Sequence, residues 1–220
     1  MAIINSCNFN PVFSARDLAC RRGDEWLFND LSFDVFSGQI IWLKGKNGRG
    51  KTSLLRLIVG LAEPDHGVIT WGGDSSRSEF NFRENLVYIG HANGLKDDLT
   101  VTESLQFLAR LHDRDSSPLA VSTALMSLNM KHRAHALVRT LSQGQRRRVA
   151  LARLALETKP ALWVLDEPFD ALDVEGISVV NSLLLHHTAR GGSVLLTSHL
   201  SLSLDASRVS LLELHHGKAS

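Results

Sequence analysis

Apolar and polar residues alternate along the early chain. The alternation runs through Leu31–Phe36 (LSFDVF) and Gln39–Gly45 (QIIWLKG), and a period of two predicts strands there. Lys51–Leu61 (KTSLLRLIVGL) is predicted as a helix. Pro64–Gly73 reads as turn, strand, turn, and Leu86–Gly90 (LVYIG) as a short apolar strand. The middle of the chain changes period. Thr100 and Glu103 have the spacing of a capping box, and Val101, Leu105, Leu108 and Leu111 share one face of the helix it opens. Leu119–Met130 is a second helix candidate. From Ser142 the order is long helix, strand (Ala161–Pro168), helix from about Glu175, strand (Ser193–His199) and a last strand from Val209.

Strands alternating with helices predict an α/β fold with a mainly parallel central sheet. An antiparallel portion is expected near the N-terminus. No repeat, low-complexity tract or Pro/Gly-rich linker interrupts the pattern. The expected organisation is one domain over residues 1–220, with a helical subdomain at about 95–155 inserted in the α/β core.

At 220 residues the chain can bury a sizeable core. A net charge of +1 points away from nucleic acid as a partner. Arg146–Arg148 are expected to be solvated or paired with acids. Cys7 and Cys20 form no C-x-x-C pair, which suits a reducing compartment. The first residues, MAIINSCNFNPVF, lack a basic segment followed by a long apolar one, so no secretory signal is expected. No stretch approaches the roughly 20 apolar residues of a membrane helix. A cytoplasmic chain that meets a membrane only through partners is expected. His186–His187 and His215–His216 lack metal-ligand spacing and are read as surface residues.

The chemistry concentrates in four places. Gly45–Thr52 (GKNGRGKT) matches G-x-x-x-x-G-K-[ST] between a strand and a helix, the context of a phosphate-binding P-loop. Gly45, Gly48 and Gly50 let the backbone of Lys46, Asn47 and Arg49 wrap a phosphate, with Ser53 just beyond. Lys51 supplies charge to β and γ phosphates, and Thr52 a hydroxyl for Mg²⁺. Asp166 and Glu167 end an apolar strand; Asp166 reads as the second Mg²⁺ ligand and Glu167 as the group that activates water. Thr197–His199 ends another strand, from which His199 can reach a γ-phosphate. Leu141–Gln145 (LSQGQ) opens a helix with Ser142 and Gln145 at capping-box spacing, and Gly144 leaves the amides of that turn uncovered, an anion site.

In this order, and with Ala171–Asp173 (ALD) between them, these segments resemble an ABC transporter ATPase over nearly the whole chain. The resemblance implies a head-to-tail homodimer sandwiching two Mg·ATP. Leu141, Ser142, Gln143, Gly144 and Gln145 would face the ATP of the partner chain, with Asp173 in the adjoining D-loop. Three positions depart from the family pattern. Gln143 stands where glycine is common. His91 takes the Q-loop glutamine's place. Arg22 aligns with the aromatic that stacks on adenine; Arg21 or Arg22 can stack by its guanidinium plane, and Trp26 is nearby.

The segment from Ile89 to Leu105, and Arg146–Leu156 running into Leu162–Gly176, resemble the haem-exporter ATPase of bacterial cytochrome c maturation. That resemblance implies a peripheral subunit on the cytoplasmic face of the inner membrane. Its partners would be integral-membrane permease subunits of the cytochrome c maturation system. Other readings are the ATPase of a lipid, metal or drug transporter, or a soluble ABC protein of translation or DNA repair.

Overall fold

The computed structural model describes residues 11–72, 85–200, 204 and 209–214. Cys7 and His215–His216 lie outside them. Two sheets carry the fold. Strands β1 (Phe13–Arg22), β2 (Glu25–Val35) and β4 (His66–Trp71) form an antiparallel sheet in the order β2-β1-β4. Strands β3 (Ile40–Lys44), β5 (Leu86–Ile89), β6 (Leu162–Leu165), β7 (Ser193–Thr197) and β8 (Val209–Glu213) form a parallel sheet in the order β5-β6-β7-β3-β8. Strand β1 has no counterpart in the sequence pattern. Its pairing slips between Ala15 and Leu18 and again before Arg21, so its buried residues do not alternate.

Among the described residues five α-helices join the strands: α1 (Lys51–Ile58), α2 (Val101–Leu111), α3 (Pro118–Ser127), α4 (Gln143–Ala152) and α5 (Val174–Ala189). Helix α1 stops three residues before the predicted end. Val59 caps it and Gly60 turns away at φ 73°, which glycine adopts without steric cost. The predicted box on α2 forms: Thr100 Oγ1 accepts the Glu103 amide at 3.2 Å, and Glu103 Oε2 accepts the Thr100 amide at 2.8 Å. Ser117 caps α3, with Pro118 in its first turn.

The sheet separates two apolar cores, and single strands feed both. Leu162 and Val164 of β6 pack with Phe13, Leu18, Phe28, Leu54 and Leu57, the core shared by the antiparallel sheet and α1. Trp163 and Leu165 point the other way, into the core built with Val101, Leu105, Val121, Leu125, Val149 and Leu184 of the helices. Strand β7 divides likewise, Leu195 to one side and Val194 and Leu196 to the other.

His187 corrects the expectation of surface histidines. It is fully buried, stacked on Trp163 with ring centroids 3.7 Å apart, and its Nε2 lies 2.8 Å from the Ala161 carbonyl oxygen. Burial pulls its pKa down to about 4. The last turn of α5 lies over the start of β6, and Gly192 leaves the room; a Cβ there would collide with the imidazole.

Candidate functional site

The carboxyl ends of β3, β6 and β7 lie side by side, because Leu165 pairs with Leu196 and Leu43 with Thr197. Gly45–Gly50 leaves β3 there and turns into α1. Gly50, the N-cap of α1, sits at φ 87° and offers no side-chain cap, so the first-turn amides of Lys51, Thr52 and Ser53 have no helical acceptor. A Cβ on Gly50 would lie 2.9 Å from Leu27 Cβ, which ties the loop closely to β2. Lys51 Nζ donates to the Gly45 carbonyl at 2.8 Å and so lies over the loop. Lys46, Asn47 and Gly48 are exposed at its tip, with Arg49 half-buried behind them. Uncapped amides, a lysine and a helix dipole pointing one way bind anions.

One residue past β6, Asp166 is 3 % exposed yet fully bonded. Its Oδ2 accepts the Thr52 hydroxyl at 2.9 Å and its Oδ1 the Thr197 hydroxyl at 2.8 Å. Thr52 and Asp166 thus present oxygens side by side, a donor set that fits a hard divalent cation such as Mg²⁺. Thr197 also accepts the Glu167 amide at 2.8 Å. Glu167 sits at φ 50°, a left-handed conformation uncommon for a residue with a Cβ. Its Oε2 accepts the His199 amide at 3.0 Å. Its buried Oε1 has no hydrogen-bond partner, and the half-exposed His199 places Nε2 3.3 Å from it. Burial pushes the Glu167 carboxyl above its ordinary value; Asp170 acts the same way, while the His199 amide and the charges of His199 and Lys51 act against both.

Ser142 caps α4. Its Oγ accepts the Gln145 amide at 3.3 Å, and Gln145 Oε1 accepts the Ser142 amide at 3.1 Å. The box leaves the amides of Gln143 and Gly144 without a helical acceptor. Leu141 is buried in the helical core behind this turn. Gly144 has a reason within the chain that the sequence reading did not contain: a Cβ there would lie 2.5 Å from the Ala171 carbonyl oxygen. Ala171 itself is at φ 60°. Asp173 caps α5 by accepting the Gly176 amide at 2.8 Å, and it also pairs with Arg148.

The three arginines behave differently from one another. Arg146 pairs with Asp97 at 2.6 Å and Arg148 with Asp173, as expected. Arg147 does not fit that expectation. It is 4 % exposed and donates to four neutral oxygens: Gly90 O, Asn93 Oδ1, Asp166 O and Glu167 O. The cause is its place on the inner face of α4, against the loops that follow β5 and β6. His91, between two of those contacts, is exposed. Arg22 is exposed at the end of β1. Its neighbour Arg21 is already engaged, bonded to Asp65 and set 4.7 Å from the centre of the Trp26 ring.

Among the described residues no helix is long and apolar enough to cross a membrane. The family model for ABC transporters matches residues 28–170. The chain is 43% identical over 206 residues to the cytochrome c biogenesis ATP-binding export protein CcmA of Nitrosomonas europaea, covering 93% of this chain and 94% of that protein. It is 44% identical over 209 residues to the cytochrome c biogenesis ATP-binding export protein CcmA 2 of Salmonella paratyphi A, covering 94% and 99%. A solved structure of the ATP-binding subunit of an ABC transporter superposes with a TM-score of 0.81 at 26% identity, covering 94% of this chain and 87% of that one. With a P-loop and two strand-end carboxylates at the carboxyl end of the parallel sheet, and a capped helix opening at Ser142, the chain is an ATP-hydrolysing member of the ABC transporter ATP-binding family.

Proposed function

We propose that this chain powers a membrane transporter complex serving cytochrome c biogenesis. ATP hydrolysis would drive haem delivery to, or haem release from, a periplasmic haem chaperone. The observation that carries the reading is the likeness to cytochrome c biogenesis export ATPases along more than nine-tenths of the chain. The chain acts as one domain over 1–220, with helices of about 95–155 as a subdomain. It sits on the cytoplasmic face of the inner membrane and meets the bilayer only through integral-membrane permease subunits. No nucleic acid takes part.

The site's parts support a division of labour. The amides of Gly45–Gly50 and Lys51 hold the phosphates, with Ser53 at the same helix start. Thr52 and Asp166 hold Mg²⁺, which neutralises phosphate charge when bound. Glu167 orients and deprotonates the attacking water; its raised pKa places it nearer the operating pH than an ordinary carboxylate. His199 steadies the γ-phosphate while its amide fixes Glu167 Oε2. Arg22 lies against the adenine. In the homodimer, Ser142 and the free amides of Gln143 and Gly144 face the γ-phosphate bound by the partner chain. Asp173 holds the neighbouring turn, and the exposed His91 loop meets the permease.

A tagged pull-down from gently solubilised membranes tests the whole reading, with partners identified by mass spectrometry. Recovery of the small cytochrome c maturation membrane proteins is expected, with the haem chaperone accumulating on the Lys51→Ala variant. A different permease would discard the haem assignment and leave the ATPase chemistry. Ribosomes, or no membrane protein, would discard transport.

A further inference from the structure

We propose that Arg147 is a positioning residue that ties helix α4 of each chain to that chain's own Glu167 and to the His91 loop. The inference rests on the reading of Glu167 as the water-activating group.

Arg147 lies one turn into α4, two residues past Gln145 of the capping box. Its guanidinium works as a two-pronged fork. Nη2 donates to Asp166 O at 2.7 Å and to Glu167 O at 2.8 Å. Nη1 donates to Gly90 O at 2.9 Å and to Asn93 Oδ1 at 3.1 Å, which brackets His91. A planar, rigid fork is what allows one side chain to hold two loops at fixed separation.

A packing role explains this residue poorly. Removing a guanidinium from water is costly, and here its four bonds go to neutral oxygens while its buried Nε has no partner. An apolar side chain of similar length would fill the space without that cost. Burial also pulls the Arg147 pKa down from its usual value, against the raising effect of Asp170, Asp166 and Glu167. What the fork provides is restraint on a strained peptide. Glu167 is at φ 50°. Thr197 bonds its amide and Arg147 its carbonyl, so both sides of the residue are pinned.

The geometry has a consequence for the dimer. The turn before Arg147 serves the nucleotide on the partner chain's P-loop, whereas Glu167 serves the nucleotide on its own. A helix moves as a rod, so a shift at Ser142–Gly144 on closure arrives at the Asp166–Glu167 backbone through one hydrogen bond to each carbonyl. Arg147 therefore links the site a chain completes for its partner with the site it keeps. The His91 loop, held by the other prong, feels the same shift.

The test is steady-state ATPase of the full chain, isolated with the membrane proteins that copurify with it. Arg147→Met should lower kcat by roughly 10- to 100-fold while KM for ATP stays within about twofold, because binding is left to the P-loop. In a Glu167→Gln background, adding Arg147→Met should cost nothing further, since both act through one group. Should Arg147→Met fail to fold, Asn93→Ala removes one prong's side-chain acceptor. It should lower kcat by about threefold or more at unchanged KM. A kcat within twofold of wild type in Arg147→Met, or in Asn93→Ala when the first variant is unfolded, overturns the proposal. So does a multiplicative loss in the double variant. Retained turnover in Glu167→Gln alone would instead remove the base assignment, which is a separate result.

Discussion

Thr197 Oγ1 stands 2.8 Å from Asp166 Oδ1, and the hydroxyl donates that bond while accepting the Glu167 amide. One fully buried threonine thus holds both the Asp166 carboxylate and the Glu167 backbone. Thr197→Val keeps the shape but leaves Asp166 Oδ1 and the Glu167 amide without partners. The variant should lose about 1–3 kcal/mol of stability in urea titration. Its kcat should fall at least tenfold, as expected when a reacting group shifts by an ångström or less. Wild-type turnover would show that β7 only packs and does not orient.

Glu167→Gln should abolish the proton acceptor and lower kcat by about 100-fold or more, with ATP still bound and the dimer trapped closed. Size-exclusion chromatography with ATP and Mg²⁺ reads the trap. In the wild type, burial raises the Glu167 pKa. The acid limb of the kcat/KM profile, which reports the free chain, should therefore lie above the ordinary carboxylate range, activity being lost as pH falls through it. An acid limb at or below that range would argue against Glu167 as the base.

Gly144→Ala places a methyl group 2.5 Å from the Ala171 carbonyl oxygen, a backbone atom that cannot swing aside. The start of α4 and the turn before Asp173 must then move apart. Equilibrium binding of ATP to the monomer should stay within about twofold, since the P-loop is untouched, while the closed dimer and turnover are lost. Weakened monomer binding would mean that the disturbance spreads to β3.

His187 makes stability depend on pH. Its folded pKa of about 4 lies below the unfolded value near 6.5. Between the two, the unfolded chain carries the extra proton. Stability is therefore full above pH 6.5 and falls as pH drops toward 4, by about 1.4 kcal/mol per unit and roughly 3 kcal/mol across the window. Urea midpoints of wild type and His187→Phe, measured from pH 7 to 4, should diverge in slope. Parallel curves would exclude His187 as the cause.

Much of this was legible along the chain because it is local. Both capping boxes join residues three positions apart, and the P-loop is contiguous. Strand β1 was not legible, because its slips in register break the alternation that marks a strand. Nor was the difference among Arg146, Arg147 and Arg148. The oxygens that hold Arg147 come from residues 19 to 57 positions away, and only the packed loops bring them together. His187 is similar: its ring rests on Trp163, a strand earlier in the chain. The second reason for a glycine at 144, the Ala171 carbonyl oxygen packed against it, comes from a turn far along the chain.

The four residues of β6 pack alternately into the two cores, and the next two residues are the site's carboxylates. A strand this short has no slack with which to absorb a loosened neighbour. Softening of either core is felt at Asp166 within a residue or two, so the site has no melting of its own. Heat inactivation should superimpose on the loss of near-ultraviolet circular dichroism from the buried Trp163, and stabilising a remote core position should raise the working temperature of the ATPase by the same number of degrees.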